Sequence, residues 1–334
     1  MILPKLRGMP QSGRALITGI SGQDGSFLAE LLLEKGYEVT GMQHSGAASL
    51  GASEHLRDRL EIVEGELLEP ASLRAAIEAV VPDELYHLAA PTFVPDSWED
   101  PAGTTTAIAS ATGCVLQTVR QLDPSTRVFV SSSGAIFGEA PETPQNELTR
   151  THPTNPYGIA KLAGHQLVGA LREHYGLHAS SGIIYNHESE RRPEQFVTRR
   201  ITRAAAAISL GLESEITLGS LDAVRDWSFA GDIMRAAWLM LQQPEGGDYV
   251  LGSGVGHTVA ELADVAFACV GLEAERHIRV DDALVRKAES TPSIGDTSKA
   301  GRELGWEPEV SFEALIERMV RADLRSLEAL PSAG

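Results

Sequence analysis

The sequence is short of cysteine and of positive charge. Of its 334 residues only 2 are cysteine, and Cys114 and Cys269 have neither metal-ligand nor CxxC spacing, which predicts a reducing, cytoplasmic setting. Lys and Arg total 28 against 46 Asp and Glu, and the resulting net charge of −18 argues against nucleic acid or an anionic membrane as a partner. No apolar run approaches the roughly 20 residues of a transmembrane helix, and the opening residues lack the apolar core of a secretory signal.

The first half of the chain alternates apolar runs with amphipathic stretches. The runs predict strands over 15–18, 38–42, 60–63, 84–88, 127–131 and 181–185. The amphipathic stretches predict helices over 25–35, 70–81 and about 155–175. This alternation is typical of a parallel sheet with helices on both faces.

A glycine-rich turn follows the first predicted strand. It reads Thr18-Gly19-Ile20-Ser21-Gly22-Gln23-Asp24-Gly25, so its glycines have the spacing G-x-x-G-x-x-G. Gly19 permits a tight turn, Gly22 lets the backbone approach a phosphate, and Gly25 lets the next helix pack close to the strand. The N-terminus of that helix offers unpaired N–H groups to a pyrophosphate. The turn therefore predicts a Rossmann-type, doubly wound α/β domain that binds a dinucleotide, rather than a glycine turn without a ligand.

After residue 186 helical stretches dominate. They are predicted over 194–212, 230–243, 258–271 and 311–325. We expect a dinucleotide-binding domain made of 13–185 plus about 222–255. A smaller, mostly helical C-terminal substrate domain, made of about 186–221 plus 256–330, is expected to close over the carboxyl edge of the sheet.

The residues after the second predicted strand do not choose between NAD and NADP. An acidic residue there would hold a ribose 2′-hydroxyl and an arginine would hold a 2′-phosphate, but the chain reads Gln43-His44-Ser45. Glu66 follows the third strand, where it either faces the adenine amino group or is a solvated loop residue. The expected cofactor is therefore NADP or NAD.

A tyrosine and a lysine stand one helical turn apart downstream of the glycine turn. Tyr157 and Lys161 share one face of the long predicted helix, after a strand that ends Ser131-Ser132-Ser133. We expect Lys161 to lower the pKa of Tyr157 and to hold the nicotinamide ribose. Ser133 is expected to hydrogen-bond the substrate hydroxyl while Tyr157 removes its proton. A YxxxK pair alone usually means two surface residues, so the hypothesis depends on its combination with the glycine turn and the serines.

Together these motifs resemble the extended short-chain dehydrogenase/reductases, and more closely the GDP-mannose 4,6-dehydratase family. The resemblance runs from about residue 14 to 325. It is carried by ALITGISGQDGSFLAELLLEKGYEV, PDELYHLAA, NPYGIAKLAGH, YNHESERRPEQFVTRRITRA, LGSLDAVRDWSFAGD and WLMLQQPEGGDYV. The segment Asn186-His187-Glu188-Ser189 is far more specific than the glycines.

The resemblance implies roles for individual residues. Ser133, Tyr157 and Lys161 match the family's redox triad, with serine where the family typically has threonine. The implied cofactor contacts are Gly19, Ser21, Gly22, Gln23, Asp24, Gly25, Glu66, Leu67, Leu88, Ala89, Ala90, Tyr157, Lys161, His187 and Arg192. The implied substrate contacts are Asn186, Val197, Arg200, Arg225, Arg286 and Glu289.

The implied substrate is a nucleoside-diphosphate sugar, with a GDP-sugar favoured. Arginine suits this ligand because its fork pairs with phosphate oxygens. Arg286 and Glu289 match an Arg-Pro-Ala-Glu nucleotide clamp, although Lys287 replaces its proline. The alternative for Arg200 is that it simply lies on an exposed helix face with Arg199 and Arg203 and binds no substrate. No metal site is expected, because the histidines near the long helix lack metal-ligand spacing.

Two departures from the family pattern stand out. The family's dehydratases read Ser-Thr-Ser-Glu after the fifth strand, whereas this chain reads Ser132-Ser133-Gly134-Ala135, so an alanine stands in place of the glutamate thought to act at the sugar C5 and C6. In this respect the chain is closer to sugar-nucleotide 4-epimerases and 4-ketoreductases. The family's arginine-rich loop, which helps bind NADP and build tetramers, is replaced by a loop beginning Gln43-His44-Ser45.

Three hypotheses about function follow. The first is an NAD(P)-dependent enzyme that oxidises or reduces C4 of a nucleoside-diphosphate hexose, as an epimerase or 4-ketoreductase. The second is a GDP-mannose 4,6-dehydratase that uses another base, with Glu188 the nearest candidate, and the third is a catalytically silent cofactor-binding protein. We expect a homodimer formed by helices around 100–122 and 155–175, with a homotetramer as the alternative.

Overall fold

A computed structural model describes residues 13–281, 283 and 291–329. Its strands are β1 (Arg14–Thr18), β2 (Glu38–Gln43), β3 (Glu61–Glu64), β4 (Glu84–His87), β5 (Arg127–Ser133), β6 (Ala179–Ile184), β7 (Asn186–Glu188), β8 (Ile216–Leu218), β9 (Val224–Phe229), β10 (Asp248–Leu251), β11 (Gly256–Thr258) and β12 (Ile278–Val280). Its α-helices are α1 (Gln23–Glu34), α2 (Pro70–Val80), α3 (Asp96–Glu99), α4 (Pro101–Thr105), α5 (Ala111–Leu122), α6 (Pro156–Tyr175), α7 (Val197–Ser209), α8 (Ala230–Leu241), α9 (Val259–Ala268), α10 (Ser298–Leu304) and α11 (Phe312–Glu328).

A parallel sheet forms the centre of the described part of the chain. Its seven strands lie in the order β10-β6-β5-β4-β1-β2-β3, and every neighbouring pair is parallel. β4 and β6 are buried along their whole length, as expected of strands covered on both faces. The strand order reverses beside β1, where doubly wound sheets bind ligands at their carboxyl edge. The predicted fold class is confirmed.

Two helical layers cover the sheet. Successive strand residues point to opposite faces, so Ile17 joins the core under α1 and α8 while Leu16 joins the core under α2, α5 and α6. Phe27 and Ile233 fill the first of these cores, and Val115 fills the second. Within the described ranges, no helix has both the length and the apolar character needed to cross a membrane.

The predicted strands and helices of the first half agree with the observed ones to within about two residues. The long helix predicted over 155–175 is α6. The Asn155 side chain caps its N-terminus by accepting the Gly158 N–H at 2.8 Å. The residue that follows its last turn is Gly176, whose φ is +68°. Such a glycine is the usual residue after a helix C-terminus. β10 was not predicted, because four residues without alternation carry no strand signal.

A second core lies beyond β6. α7, α9 and α11 pack around Ile201, Phe267 and Ile316, and Trp227 of β9 joins them. β7 and β11 flank β9 in a small sheet, and β8 pairs with β12. α10 and Trp306 pack with α8 in the core of the large sheet instead. Part of the segment 256–330, which we assigned to the substrate domain, therefore packs with the dinucleotide-binding domain. The exact domain division stays a prediction.

A buried ion pair joins two helices of the second core. Asp323 of α11 has no exposed surface, and its carboxylate accepts the Arg199 guanidinium at 2.6 Å and the Thr202 hydroxyl at 2.8 Å. Arg199 also donates to the Glu190 carbonyl. The alternative of an exposed arginine face on α7 is therefore wrong for Arg199, because α11 covers it.

Asp323→Ala should lower the free energy of unfolding by about 3–5 kcal/mol, because it leaves the Arg199 guanidinium buried without its counter-charge. Urea unfolding followed by circular dichroism measures this loss. The matched control is Asp264→Ala on the exposed face of α9, which should change the free energy by less than about 0.5 kcal/mol. Equal losses in the two variants would contradict the importance of the pair.

Candidate functional site

The glycine turn has the geometry of a phosphate-binding loop. Gly19 adopts a φ of +78°, and a Cβ on it would lie 2.9 Å from the Ala89 nitrogen. A Cβ on Gly25 would lie 2.3 Å from the Gly19 carbonyl oxygen, so α1 starts in direct contact with the turn. Gly22 is exposed, and a Cβ there would meet nothing closer than 3.4 Å. A larger residue fits at neither Gly19 nor Gly25, and the exposed backbone between them forms a cradle suited to a pyrophosphate.

Thr18 joins this turn to the end of β4. Its hydroxyl accepts the backbone N–H groups of Leu88 and Ala89, each at 3.1 Å, and lies 2.9 Å from Nδ1 of His87. Burial, aided by the charge of Lys161, lowers the pKa of His87 to about 3, so the neutral ring accepts the Thr18 proton. The predicted cofactor residues that flank the turn are Leu88, Ala89 and Ala90.

Asp24 of α1 and His187 form a half-buried pair beside the turn. Nε2 of His187 lies 2.9 Å from Asp24 Oδ2, and Nδ1 lies 2.9 Å from the Tyr185 carbonyl oxygen. Both oxygens accept, so both ring nitrogens carry protons. Burial opposes both charges, yet their attraction raises the pKa of His187 and lowers that of Asp24. The Gln23 side chain adds bonds to the His187 carbonyl and the Ser189 hydroxyl, which fastens the N-terminus of α1 to β7.

A cleft of about 300 Å³ opens at the carboxyl edge of the sheet. Its walls come from the ends of β5 and β6, the start of α6, β7 and β9. Predicted site residues from distant parts of the chain meet there: Asp24, Leu88, Ser133, Tyr157, Lys161, Asn186, His187, Arg192 and Arg225. Ala135 lines the same cleft.

The Lys161 ammonium is buried at the inner wall of this cleft. It donates to the Ser131 carbonyl at 2.7 Å and lies 3.3 Å from the Ser131 hydroxyl. Burial lowers the pKa of Lys161 to about 8, although Asp24 opposes the shift. Its nitrogen lies 5.7 Å from the centroid of the Tyr157 ring, so the two residues are neighbours, as their spacing predicted.

The pKa of Tyr157 differs from our expectation. Burial raises the pKa of Tyr157 above its ordinary value, and a hydrogen bond with Ser133 and the charge of Arg192 offset this rise in part. The expected lowering by Lys161 is wrong for this structure, because the cost of removing the half-buried phenol from water outweighs the contributions that lower its pKa. The Ser133 oxygen also accepts the Ala135 N–H at 3.2 Å, which orients the serine toward the tyrosine side of the cleft.

Two arginines line the cleft further out. The Arg192 guanidinium lies 3.5 Å from the centroid of the Phe196 ring and 3.2 Å from the Glu188 carboxylate. Glu188 is 1% exposed and also accepts the Thr198 hydroxyl at 2.6 Å. The carboxylate of Glu188, the base suggested by the sequence, is therefore buried and already bound to Arg192 and Thr198. Arg225 reaches the cleft from β9.

Other predicted site residues lie apart from the cleft wall. Val197 begins α7, and Arg200 is exposed three residues later, where it donates to the Thr217 carbonyl at 2.9 Å. Arg286 and Glu289 lie outside the described residues. The substrate contacts proposed for these residues stay predictions.

Glu66 lies against the loop that follows β2. Its carboxylate is 2.9 Å from Nδ1 of His44 and accepts the Ser45 N–H at 2.9 Å. Leu67 packs, partly buried, against the core under α2. The adenine contacts proposed for Glu66 and Leu67 stay predictions.

Sequence reasoning missed part of the cleft wall. The missed residues include Thr92, Val94, Glu139, Thr154, Asn155, Phe196, Thr291 and Ser293. Most lie in loops, where no periodicity or glycine spacing marks them. Glu139 is the acidic residue among them, and its side chain is exposed at the cleft. Its position four residues after Ala135, on the turn that ends β5, was the available signal.

Comparison with known proteins identifies the family. Residues 16–319 match the family model described as GDP-mannose 4,6 dehydratase. The chain belongs to this family.

Individual relatives agree with this assignment. GDP-mannose 4,6 dehydratase 1 of Arabidopsis thaliana is 42% identical over 323 residues, which span 93% of this chain and 89% of that protein. The UDP-glucose 4-epimerase of Thermus thermophilus, solved with NAD, has a TM-score of 0.81 at 26% identity and covers 93% of this chain and 98% of its own. RMD from Pseudomonas aeruginosa, solved with NADPH, has a TM-score of 0.79 at 25% identity and covers 94% of this chain and 99% of its own.

Membership of the GDP-mannose 4,6-dehydratase family confirms the resemblance seen in the sequence. It makes the chain an NAD(P)-dependent, sugar-nucleotide-modifying enzyme of the extended short-chain dehydrogenase/reductase type. The residues present fit such a cofactor, because Gly19 and Gly25 leave a cradle that a Cβ at either position would disrupt.

Asp24→Asn should lower the pKa of His187, because a neutral amide cannot offset the cost of burying the charged ring. An NMR titration of the imidazole measures this pKa. His165, whose charged neighbours are Asp248 and Arg172, is the internal control. An unchanged His187 titration would show that the pair is not coupled.

The same pair predicts a direction for stability against pH. The raised pKa of His187 stabilises the fold below the ordinary value of 6.5, and this stabilisation is lost as pH rises through the folded pKa. The contribution of Asp24 is lost as pH falls through its lowered pKa. Asp24→Asn should flatten both limbs of the curve.

Proposed function

We propose that this enzyme oxidises and reduces C4 of a nucleoside-diphosphate hexose, as an epimerase or a 4-ketoreductase. The observation that carries the proposal is the meeting of Ser133, Tyr157 and Lys161 in one cleft where the residue at position 135 is an alanine. A GDP-linked, mannose-like hexose is favoured by the family.

NAD or NADP would be held along the carboxyl edge of the sheet. The turn over residues 19–25 would take the pyrophosphate, Lys161 the nicotinamide ribose, and Glu66 the adenine. His187 and Arg192 would border the nicotinamide end. When bound, the nicotinamide supplies or accepts the hydride at C4.

Tyr157 is the proposed proton carrier. For oxidation its oxygen takes the proton of the C4 hydroxyl, and for reduction it returns a proton to the C4 oxygen. Burial favours the protonated phenol, which is the form that reduction of a 4-keto group needs. The hydrogen bond with Ser133 and the charge of Arg192 favour the phenolate needed for oxidation, and they offset part of the effect of burial. Ser133 would share the substrate oxygen with Tyr157 through its hydroxyl.

Elimination of water across C5 and C6 needs a further acid–base group. An alanine methyl at position 135 neither takes nor gives a proton, and a positioned acid–base group contributes roughly 10²–10⁴-fold in rate. Oxidation at C4 does not need that group. The proposed outcome is therefore epimerisation or reduction.

The diphosphate of the sugar nucleotide would lie toward the arginine side of the cleft. Arg225 lines the cleft there, and its guanidinium can bond two phosphate oxygens at once. Arg200 and Val197 on α7 would extend this contact. Because the chain has a net charge of −18, binding of an anionic substrate needs such a local cluster of positive side chains.

A specific observation keeps the dehydratase alternative open. Glu139 lines the cleft on the turn that carries Ala135, and its side chain is exposed. Since Glu188 is held by Arg192 and Thr198, Glu139 replaces it as the candidate acid–base group of a GDP-mannose 4,6-dehydratase.

We propose a homodimer formed through α5 and α6, with a homotetramer as the alternative. A groove of about 660 Å³ runs between α2, α5 and α6. Its lining includes Gly113, Cys114, Leu167, Leu171 and Tyr175. Covering these apolar groups with a second copy would remove them from water.

Tyr157→Phe should lower kcat by at least about 10²-fold, because the ring remains and the proton carrier is lost. Steady-state assays measure kcat, and calorimetry should show that cofactor affinity is retained. The control is Tyr249→Phe, whose hydroxyl bonds Glu303 on the far side of the sheet and should not alter kcat. Unchanged turnover in Tyr157→Phe would contradict the proposal.

Incubation with GDP-mannose and either NAD or NADP separates the two reactions, and mass spectrometry of the sugar nucleotide is the measurement. We expect no product lighter by one water. Ala135→Glu should then introduce weak dehydration, because it restores an acid–base group in the cleft.

A 4-keto-6-deoxy product from the wild type would support the alternative. Under that outcome Glu139→Gln should abolish dehydration, since the amide cannot exchange the proton. Glu142→Gln, exposed on the same loop, is its matched control.

A further inference from the structure

Two carboxylates converge at the carboxyl edge of β2 and β3, outside the cleft. Gln43 ends β2 and is the register partner of Glu64, which ends β3. The Glu64 carboxylate accepts the Gly46 N–H at 3.2 Å, and the Glu66 carboxylate accepts the Ser45 N–H at 2.9 Å. Two negative charges therefore lie against two consecutive peptide groups directly after β2.

This edge is where a doubly wound sheet places the ribose of the adenosine half. The loop after β2 is also fastened to the glycine turn. The Ser53 hydroxyl donates to the Ile20 carbonyl at 2.6 Å, and the Ala52 N–H donates to the Ser21 carbonyl at 3.0 Å. A nucleotide seated on the turn would thus lie beside the loop that holds Glu64 and Glu66.

Two basic side chains described in the loop after β2 already have partners. His44 lies 2.9 Å from Glu66, and the Arg57 guanidinium donates to Glu54 at 2.7 and 3.0 Å. Arg59 stands just before β3, at the opposite edge of the parallel sheet. A 2′-phosphate would bring a charge of about −1.5 to −2 to a place that already holds two carboxylates. A ribose 2′-hydroxyl is neutral and can donate to a carboxylate.

We propose that Glu64 and Glu66 make this enzyme select NAD over NADP. The proposal rests on the proposed function, since it presupposes a dinucleotide on the glycine turn. It departs from the NADP that the family resemblance implies. The selection is electrostatic: the carboxylates repel the 2′-phosphate, and the Arg57 guanidinium is already bound to Glu54.

Isothermal titration of the full-length enzyme with NAD⁺ and with NADP⁺, at low ionic strength, tests this selection without turnover. We expect NAD⁺ to bind at least about tenfold more tightly. The ratio should shrink as salt rises, because exposed charges are screened. Equal or tighter binding of NADP⁺ would overturn the selectivity alone. Binding of neither nucleotide would overturn the proposed function and the selectivity together.

The double variant Glu64→Gln/Glu66→Gln assigns the selection to these side chains. It should bring the ratio of the two dissociation constants close to one, mainly by tightening NADP⁺. A lost adenine contact would weaken both nucleotides equally and leave the ratio unaffected. Glu61→Gln, at the opposite end of β3 and exposed, is the matched control and should keep the wild-type ratio. A double variant with the wild-type ratio would overturn the assignment.

Discussion

The burial of the Lys161 ammonium against β5 determines the geometry of the cleft. A buried ammonium must find acceptors, and Ser131 supplies its carbonyl and hydroxyl oxygens. This contact holds the first turns of α6 over the end of β5, so Tyr157, one turn earlier, lies beside the serine-rich end of that strand. Close packing enforces the same arrangement, since a Cβ on Gly158 would lie 2.6 Å from the Ala135 carbonyl oxygen. The proposed catalytic grouping is thus a consequence of how one helix meets one strand.

The charges around this contact offset one another. Asp24 raises the pKa of Tyr157 further, beyond the effect of burial, whereas Arg192 lowers it. His187, paired with Asp24 at 2.9 Å, places a positive charge beside that carboxylate. The contact that joins α1 to β7 therefore belongs to the same group of charges as Tyr157. Structure and electrostatics at this site cannot be varied independently.

Local patterns predicted the sheet and the glycine turn, because strand periodicity and the contact of Gly25 with the Gly19 carbonyl depend on residues close in sequence. They also predicted that Ser133, Tyr157 and Lys161 meet, since the ends of parallel strands share one edge. These patterns could not predict contacts between residues far apart in the sequence. Arg199 reads as part of an exposed face, yet it is buried against Asp323, 124 residues later. The raised pKa of Tyr157 likewise depends on burial, which no spacing encodes.

In the proposed mechanism the reaction outcome does not depend on the fold, for a physical reason. Redox chemistry at C4 would use groups fixed by the contact of α6 with β5, whereas elimination would need one more acid–base group at the adjoining turn. That turn requires glycine at position 138, because Gly138 has a φ of +58° and a Cβ on it would lie 2.0 Å from the His152 carbonyl oxygen. Ala135 and Glu139 stand on either side of Gly138 and both line the cleft. An acid can therefore be lost at one of these positions, or gained at the other, without disturbing Tyr157 and Lys161, so the same scaffold can carry either chemistry.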